Sequence, residues 1–320
     1  MDVSIIIVNY NTKNLLKQCL DSIYNKTRDI TFEIIVSDNG SRDGSIEMLK
    51  TEYPKVILIE NNENLGFGTA NNRGLEVSKG KYIFYLNSDT ILKNNAVKIF
   101  YDYFEENDKK ETPGALGCNL LDNDGNINSS YSTFPDINKN ISDLIHANYG
   151  LSKLLIKKIF GKALPDTSRK KQNYERKTGE VDFIVGADLF LKNDNYAKFD
   201  ENIFLYYEEV DLQYQLYKAE KKMYLIDGPQ IIHLEGQSSK NQTYKHFEEL
   251  TSFSAKFKNI SRIYYYRKNI SIFKSFIIQI LTVILWLNPL IIQYNFKAIP
   301  LLFKNSIKSK DISKLVNNGV

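Results

Sequence analysis

The stretch YIFYLNSDT, residues 82–90, starts as the interior of a protein and ends as its surface. Tyr82 to Leu86 are all large and apolar or aromatic, and Asn87, Ser88 and Asp89 follow at once. A continuous apolar run of this length, closed by turn residues, predicts a strand covered on both faces. Its carboxyl end then delivers Asp89 to the rim of a sheet, where open α/β proteins hold their ligands.

The flanking sequence repeats the theme. SIIIVN (4–9), FEIIVSDN (32–39) and KVILIEN (55–61) are three more buried-strand runs. Residues 12–26 place Leu15, Leu16, Cys19, Leu20, Ile23 and Tyr24 on one helical stripe. A short helix is expected from Ser45, a Gly- and Asn-rich helix over 67–78, and an amphipathic helix over 94–106 with Asn94 as its cap. Strands separated by helices predict parallel pairing through right-handed crossovers. Beyond residue 106 the rhythm changes. A hairpin or wider loop is expected about Asp124-Gly125, a strand over 181–192, a helix over 206–219, and one or two strands over 224–234 broken at Gly228-Pro229.

Of the 320 residues 42% are apolar and 25% charged, which excludes large-scale disorder. The net charge of +4 is mild, and no nucleic-acid partner is expected. Its distribution is uneven. Nine Lys or Arg fall between Ser152 and Thr178 against Asp166 and Glu175, and ten fall between Thr251 and Lys310 with no acidic residue. The two cysteines, Cys19 and Cys118, lack metal-ligand spacing and read as small buried hydrophobes in a reducing compartment. MDVSIIIVNYN has no basic leader region or cleavage site, so its apolar run is a strand and not a signal peptide.

Residues 275–296 carry no charge over 22 positions, long enough to span a bilayer. Asn288-Pro289 interrupts the run, and both flanks are basic, with Arg267, Lys268 and Lys274 before and Lys297, Lys304 and Lys308 after. That pattern favours an in-plane or re-entrant helix pair on anionic lipid over a simple span. The alternative is a buried C-terminal helix packed on the main domain or a partner.

Several polar positions could carry chemistry. Asp38, in SDNGSRDGS (37–45), stands where a parallel strand ends; alone it reads as a turn residue. NENLGFGTANNRG (62–74) has glycines at 66 and 68 that permit close backbone approach, yet no dinucleotide fingerprint or P-loop occurs. Asp89 is a hard oxygen donor suited to Mg2+ or Mn2+, which then needs diphosphate oxygens to complete its shell. In FLYYEEVDLQYQL (204–216), Glu208, Glu209 and Asp211 crowd a helix start directly after an aromatic run. Negative charge there suits the helix dipole, and partial burial would also suit a general base. His233 ends another apolar strand; a lone strand-end histidine is more often structural than a ligand.

The order VSIIIVNYN, IIVSDNGSRDGS, NLGFGTANNRG, YLNSDT, VGA, FDENIFLYYEEVDL and IIHLEGQS resembles the family 2 glycosyltransferases over roughly residues 1–240. More narrowly, it resembles their rhamnosyltransferase-like branch, which builds bacterial surface polysaccharides. The resemblance implies an α/β GT-A fold, a Rossmann-like mostly parallel sheet flanked by helices. With the charge and apolar patterning above, the expected division is a glycosyltransferase domain over 1–250, bearing a basic insertion at about 140–178, and a C-terminal helical membrane-associating extension over 251–320.

The resemblance also implies roles. Asn9 and Asp38 line the nucleotide pocket; Gly66, Phe67 and Asn71 lie beside the donor; Asn87, Ser88 and Asp89 match a D-x-D element whose last Asp reaches a divalent cation, Mg2+ or Mn2+. Gly186 and Ala187 match a small pair near the sugar and acceptor, Glu209 falls at the catalytic base with Glu208 beside it, and His233 at a further metal ligand. Two positions depart from the pattern: Asn87 replaces Asp, and Glu208-Glu209 replaces Glu-Asp, which moves the base by one methylene. Together these imply an inverting enzyme that moves a sugar, dTDP-L-rhamnose being the branch donor and a UDP-hexose the alternative, to a lipid-linked glycan at the cytoplasmic face of the cell membrane. The basic insertion suits such an acceptor, or is a solvated loop. The alternative function is a sugar-nucleotide-binding subunit of a polysaccharide assembly complex, its catalysis impaired through Asn87 and Glu209.

Overall fold

The computed structural model describes residues 1–160, 175–234 and 250–304. Chain contacts divide them into two compact units. The first holds residues 1–134, 175–201 and 208–234, and the second holds 135–160, 202–207 and 250–304.

The first unit opens with β1 (Val3–Asn9), α1 (Lys13–Lys26), β2 (Phe32–Asp38), α2 (Ser45–Glu52), β3 (Ile57–Glu60), α3 (Phe67–Val77), β4 (Tyr82–Leu86), β5 (Thr90–Leu92) and α4 (Ala96–Glu111). Apart from the short β5, these are the strands and helices that the apolar periodicity predicts. Alternation along each strand feeds two cores. Ile5, Ile7, Phe84 and Phe190 join Leu16, Leu20 and Phe100 on one face, while Ile6, Ile83, Tyr85 and Leu189 join Phe199 and Leu212 on the other. Each such side chain contributes about 1.5–3 kcal/mol by burial. Helix α3 lies so close to β1 that a Cβ on Gly74 would come within 2.5 Å of Ile6 Cγ2. The expected cap Asn94 does not cap α4. Its amide donates to the Gly228 carbonyl at 2.7 Å and its Oδ1 accepts from Gln230 N at 3.0 Å, which ties two loops together instead.

After β6 (Pro113–Gly117) the chain crosses a turn in which Leu121 bridges Ile127 in antiparallel fashion, as the Asp124-Gly125 hairpin predicts. The expected strand over 181–192 is broken into β8 (Gly179–Val181), β9 (Phe183–Ile184), which pairs with β7 (Tyr131–Ser132), and β10 (Asp188–Lys192). Helix α6 (Glu208–Lys218), β11 (Lys222–Leu225) and β12 (Ile231–His233) complete the unit.

The eight-stranded sheet has the order β3-β2-β1-β4-β10-β6-β11-β8. It corrects the expectation of a mostly parallel sheet. β3, β2, β1 and β4 are parallel, and β6 pairs parallel with β11, but β10 runs antiparallel to both β4 and β6, and β8 antiparallel to β11. Strand β10 carries no signal of direction in its apolar pattern; a long excursion of the chain returns it from the opposite end of the sheet. The fold is a GT-A-like α/β fold with a mixed sheet.

The second unit is helical. It contains α5 (Ile137–Phe160), α7 (Phe253–Asn269), α8 (Ile272–Trp286), α9 (Ile292–Asn295) and a 3-10 helix over Phe296–Phe303. Part of the expected basic insertion forms the end of α5, and residues 161–174 of it lie outside the described residues. Ser252 caps α7 by accepting from Ala255 N at 3.1 Å, and Ser271 caps α8 by accepting from Lys274 N. The expected membrane-associating extension is overturned here. The uncharged run 275–296 is not one helix: it breaks after Trp286, where Pro289 lacks an amide hydrogen, and no helix among the described residues is long and apolar enough to cross a membrane. Instead α8 buries Ile278, Leu285, Trp286 and its polar Ser275, Gln279 and Thr282 within the helical unit.

Candidate active site

The antiparallel insertion of β10 assembles the site. Because Asp188 pairs with Leu86, the start of β10 lies at the end of β4, and Asn87 N donates to the Ala187 carbonyl at 3.0 Å. The small pair Gly186-Ala187 thereby meets the Asn87-Ser88-Asp89 loop. On its other side Gly186 faces α6: a Cβ built there would stand 3.0 Å from Glu209 Cβ and 3.1 Å from its Cγ. A methyl there would be tighter than ordinary contact, so Glu209 would have to give by a few tenths of an ångström.

A second pairing brings in His233. β12 runs antiparallel to β5 with His233 opposite Thr90, and Leu234 N donates to the Asp89 carbonyl at 2.9 Å. The imidazole Nε2 then lies 3.3 Å from Asp89 Oδ1. His233 is buried, while the Asp89 side chain keeps 27% of its surface exposed. The strand-end histidine, weak evidence alone, sits beside the expected carboxylate.

The residues expected beside the donor join a continuous hydrogen-bonded chain from Asp38 to Ser88. Asn9 Nδ2 donates to Asp38 Oδ2 at 2.6 Å and to Ser41 Oγ at 3.0 Å. Asp38 Oδ1 accepts from the amides of Gly40 and Ser41. Thr12 Oγ1 donates to Asn9 Oδ1 at 2.7 Å and lies 3.0 Å from Ser88 Oγ. Asp38 thus acts first as the organiser of its own turn, and both its oxygens already accept. Gly66 takes φ 87° before α3 and its carbonyl accepts from Asn39 Nδ2. Phe67 packs edge-on against Phe199, and Asn71, buried, donates to the Phe67 carbonyl one turn back. Its neighbour Asn72 is the cross-link: it exchanges two 2.9 Å hydrogen bonds with the backbone of Phe199.

The two glutamates differ. Glu208 is 5% exposed, its Oε2 has no hydrogen-bond partner, and its Cβ lies 3.5 Å from a Cβ built on Gly68. Burial, then the charge of Glu209, hold its carboxyl well above the usual carboxylate range. Glu209 is half-buried against Gly186, and Asp211 is buried one residue beyond Val210.

Sequence reading missed Thr12 and Ser41, which look like ordinary turn residues, and Asp188. The last is fully buried in an apolar strand, which is itself the missed signal. Its Oδ2 accepts from Cys118 N at 2.8 Å, and burial pushes the carboxyl up to about 7 while Cys118 and His233 pull it down.

Whether these residues suit a divalent cation can be tested on their atoms. Asp89 Oδ1 and His233 Nε2 converge, and the buried Oδ1 of Asn87 has no hydrogen-bond partner. A hard carboxylate oxygen, a borderline imidazole nitrogen and an orphaned oxygen fit a divalent cation such as Mn2+ that takes its remaining ligands from a phosphate group. No cluster of three His, Cys, Asp or Glu suited to a metal occurs among the described residues.

Comparison with known proteins follows the same lines. The sequence model "Glycosyl transferase family 2" matches residues 4–162. A poly(ribitol-phosphate) beta-glucosyltransferase of Bacillus spizizenii is 36% identical over 121 residues, 36% of this chain and 19% of that protein. The poly(ribitol-phosphate) beta-N-acetylglucosaminyltransferase TarP of Staphylococcus aureus is 28% identical over 202 residues, 61% of this chain and 59% of that one. The chain therefore spans less than two thirds of either relative. A mannosyltransferase from Pyrobaculum calidifontis, solved in complex with GDP-Man and Mn2+, superposes with TM-score 0.52 at 13% identity, over 99% of this chain and 76% of that one; this likeness concerns the fold. Over residues 4–162, just under half of its length, the chain is thus similar to glycosyl transferase family 2.

Proposed function

We propose that the chain is an inverting glycosyltransferase that moves a sugar from a nucleotide-sugar donor to a glycan of the cell envelope. The observation that carries this reading is the convergence of three groups distant in sequence: Asp89 and His233 at 3.3 Å, and Glu209 against the Gly186 that precedes Ala187, the hydrogen-bond partner of Asn87.

The residues divide the work. Asn9, Asp38, Ser41, Thr12 and Ser88 shape the donor side through their hydrogen-bonded chain. An acceptor hydroxyl is a poor nucleophile, so the Glu209 carboxylate takes its proton as the oxygen attacks the anomeric carbon. The bond from that carbon to the diphosphate oxygen breaks, and its electron pair leaves with the nucleoside diphosphate. A divalent cation held by Asp89 and His233 would neutralise the charge that gathers there. Attack opposite the leaving group inverts the anomeric centre.

The rhamnosyltransferase-like branch makes dTDP-L-rhamnose the first donor to test and a UDP-hexose the second. The acceptor is proposed to be lipid-linked and handled at the cytoplasmic face of the cell membrane. Two relatives named for poly(ribitol-phosphate) support a phosphate-containing polymer as the acceptor class.

The experiment is a panel of dTDP-L-rhamnose, UDP-hexoses and GDP-mannose with Mn2+ and a lipid-diphosphate glycan, read by nucleoside diphosphate release and by product mass. One donor should turn over, and chelation should slow it. A donor that raises the melting midpoint without any turnover would instead mark a binding subunit.

A further inference from the structure

Helix α6 carries Glu209 in its first turn and rests on the sheet through Leu212 and Leu216, which join Ile184, Leu189 and Leu191 in one apolar cluster. Apolar burial holds such a helix down but is non-directional, so it does not by itself fix where along its axis the helix comes to rest. Direction comes from Gln213, a fully buried residue on the same helix, one turn beyond Glu209. Its Oε1 accepts from Ile184 N at 2.8 Å, and its Nε2 donates to the Ile184 carbonyl at 2.8 Å. The same Nε2 donates to the Glu209 carbonyl at 3.1 Å. The Ile184 backbone offers one donor and one acceptor, which settles which end of the amide is oxygen and which is nitrogen.

The segment that this amide grips leads directly to the site. Strand β9 is two residues long and pairs with β7 along one edge; just beyond it, Val185 N donates to the Ser130 carbonyl at 2.9 Å. On the edge that β7 leaves open, Gln213 stands in for a neighbouring strand and satisfies both backbone groups of Ile184. The Val185 carbonyl then accepts from Ala187 N at 2.7 Å, and the Ala187 carbonyl accepts from Asn87 N at 3.0 Å. Between these anchors lies Gly186, whose missing Cβ leaves room for the Glu209 side chain. One amide therefore ties together the two backbones that meet at that contact, through Ile184 on one side and the Glu209 carbonyl on the other.

We propose that Gln213 is a positioning residue for the Glu209 carboxylate: it sets the register of α6 against residues 184–187, so that the carboxylate meets the acceptor hydroxyl beside Gly186. The proposal rests on the reading of Glu209 as the base. Loss of the amide leaves the apolar contacts of Leu212 and Leu216 in place but frees α6 to shift along them, and the carboxylate shifts with the helix. Gln213 is sealed from solvent and makes no contact with either substrate. Its effect therefore belongs to the chemical step and not to donor binding.

The test is a double-mutant cycle in the full chain: wild type, Gln213→Met, Glu209→Gln and the pair, each read by kcat, donor KM and a thermal melt. Gln213→Met keeps the length and the apolar stem and removes the amide. Its melting midpoint should fall, because the buried Ile184 N–H and carbonyl lose their partner. In the wild-type background we expect kcat to fall about tenfold with donor KM held within about twofold. In the Glu209→Gln background the same change should cost less than about twofold, since no base remains to be misplaced. An amide that only supports the fold would cost the same factor in both backgrounds; that result overturns the proposal, as does wild-type kcat in Gln213→Met. A second measurement needs no variant. Hydrogen exchange of the wild-type chain, followed by NMR, should find the Ile184 amide at least about a hundredfold slower than in an unfolded chain. Exchange at the unfolded rate would show that Gln213 does not hold it, and overturns the proposal even if Gln213→Met fails to fold. If Glu209→Gln proves as active as the wild type, the base assignment fails and the positioning role falls with it. A slow Glu209→Gln beside a fully active Gln213→Met removes the positioning role alone.

Discussion

Asp89 and His233 stand 3.3 Å apart, Oδ1 to Nε2, because β5 and β12 pair with Thr90 opposite His233. The strand register, and not sequence proximity, makes this pair. Asp89→Ala should therefore lower transfer by about a hundredfold or more, the scale of a lost electrostatic stabiliser of the leaving group. Its side chain is partly exposed, so the melting midpoint should move little. The check is product formation beside a thermal melt. Transfer at the wild-type rate would remove Asp89 from the mechanism.

Glu209→Gln keeps size and removes the proton acceptor. The expected loss in kcat is about 10²–10⁴-fold, the usual contribution of a general base, with donor binding preserved. Glu208→Gln should cost far less, because burial already favours the neutral carboxyl that glutamine imitates. Steady-state kinetics of the two variants side by side decide which glutamate acts; equal losses would contradict the assignment.

Glu208 also predicts a pH dependence of stability. Its folded-state carboxyl binds its proton more tightly than the unfolded one, whose ordinary value is 4.5. The folded state therefore holds more protons than the unfolded state above that value, and stability falls as pH rises through it toward the raised folded value. In Glu208→Gln this contribution is absent. Urea midpoints measured between about pH 5 and 8 should show the variant gaining on the wild type as pH rises. Parallel curves would show that the carboxyl is not held neutral.

Gly186→Ala tests the seat of the base. The new methyl would stand 3.0 and 3.1 Å from Glu209 Cβ and Cγ, closer than ordinary contact, so Glu209 must shift by a few tenths of an ångström. A kcat reduced about tenfold with a cooperative melt is expected, since small misplacements of reacting groups are costly. A crystal structure of the variant would show the displaced carboxylate; unchanged kcat would place the reacting hydroxyl elsewhere.

The strands and helices of the first hundred residues were legible because each buried element writes its own period into the sequence. SIIIVN and YIFYL could be little else than covered strands, and Leu16, Cys19, Leu20 and Ile23 mark one face of α1. Asn94 was misread as a cap because a cap and a loop tie use the same side-chain amide, and only the position of Gly228 and Gln230 distinguishes them. The uncharged tail was expected to be a membrane-associating extension because composition records the length of an apolar run and not its breaks. The break after Trp286 and the burial of Ser275, Gln279 and Thr282 emerge only from packing.

The sequence by itself determined the alternation of elements, the places where polar residues interrupt apolar ones, and the family that those motifs resemble. Tertiary structure alone decided that β10 runs against β4, that His233 pairs across from Thr90, and that Glu208 is sealed while Glu209 is half open. The reason is physical: periodicity is a property of neighbours along the chain, whereas strand direction, register and the dielectric around a carboxylate depend on groups that meet only after the chain has closed on itself.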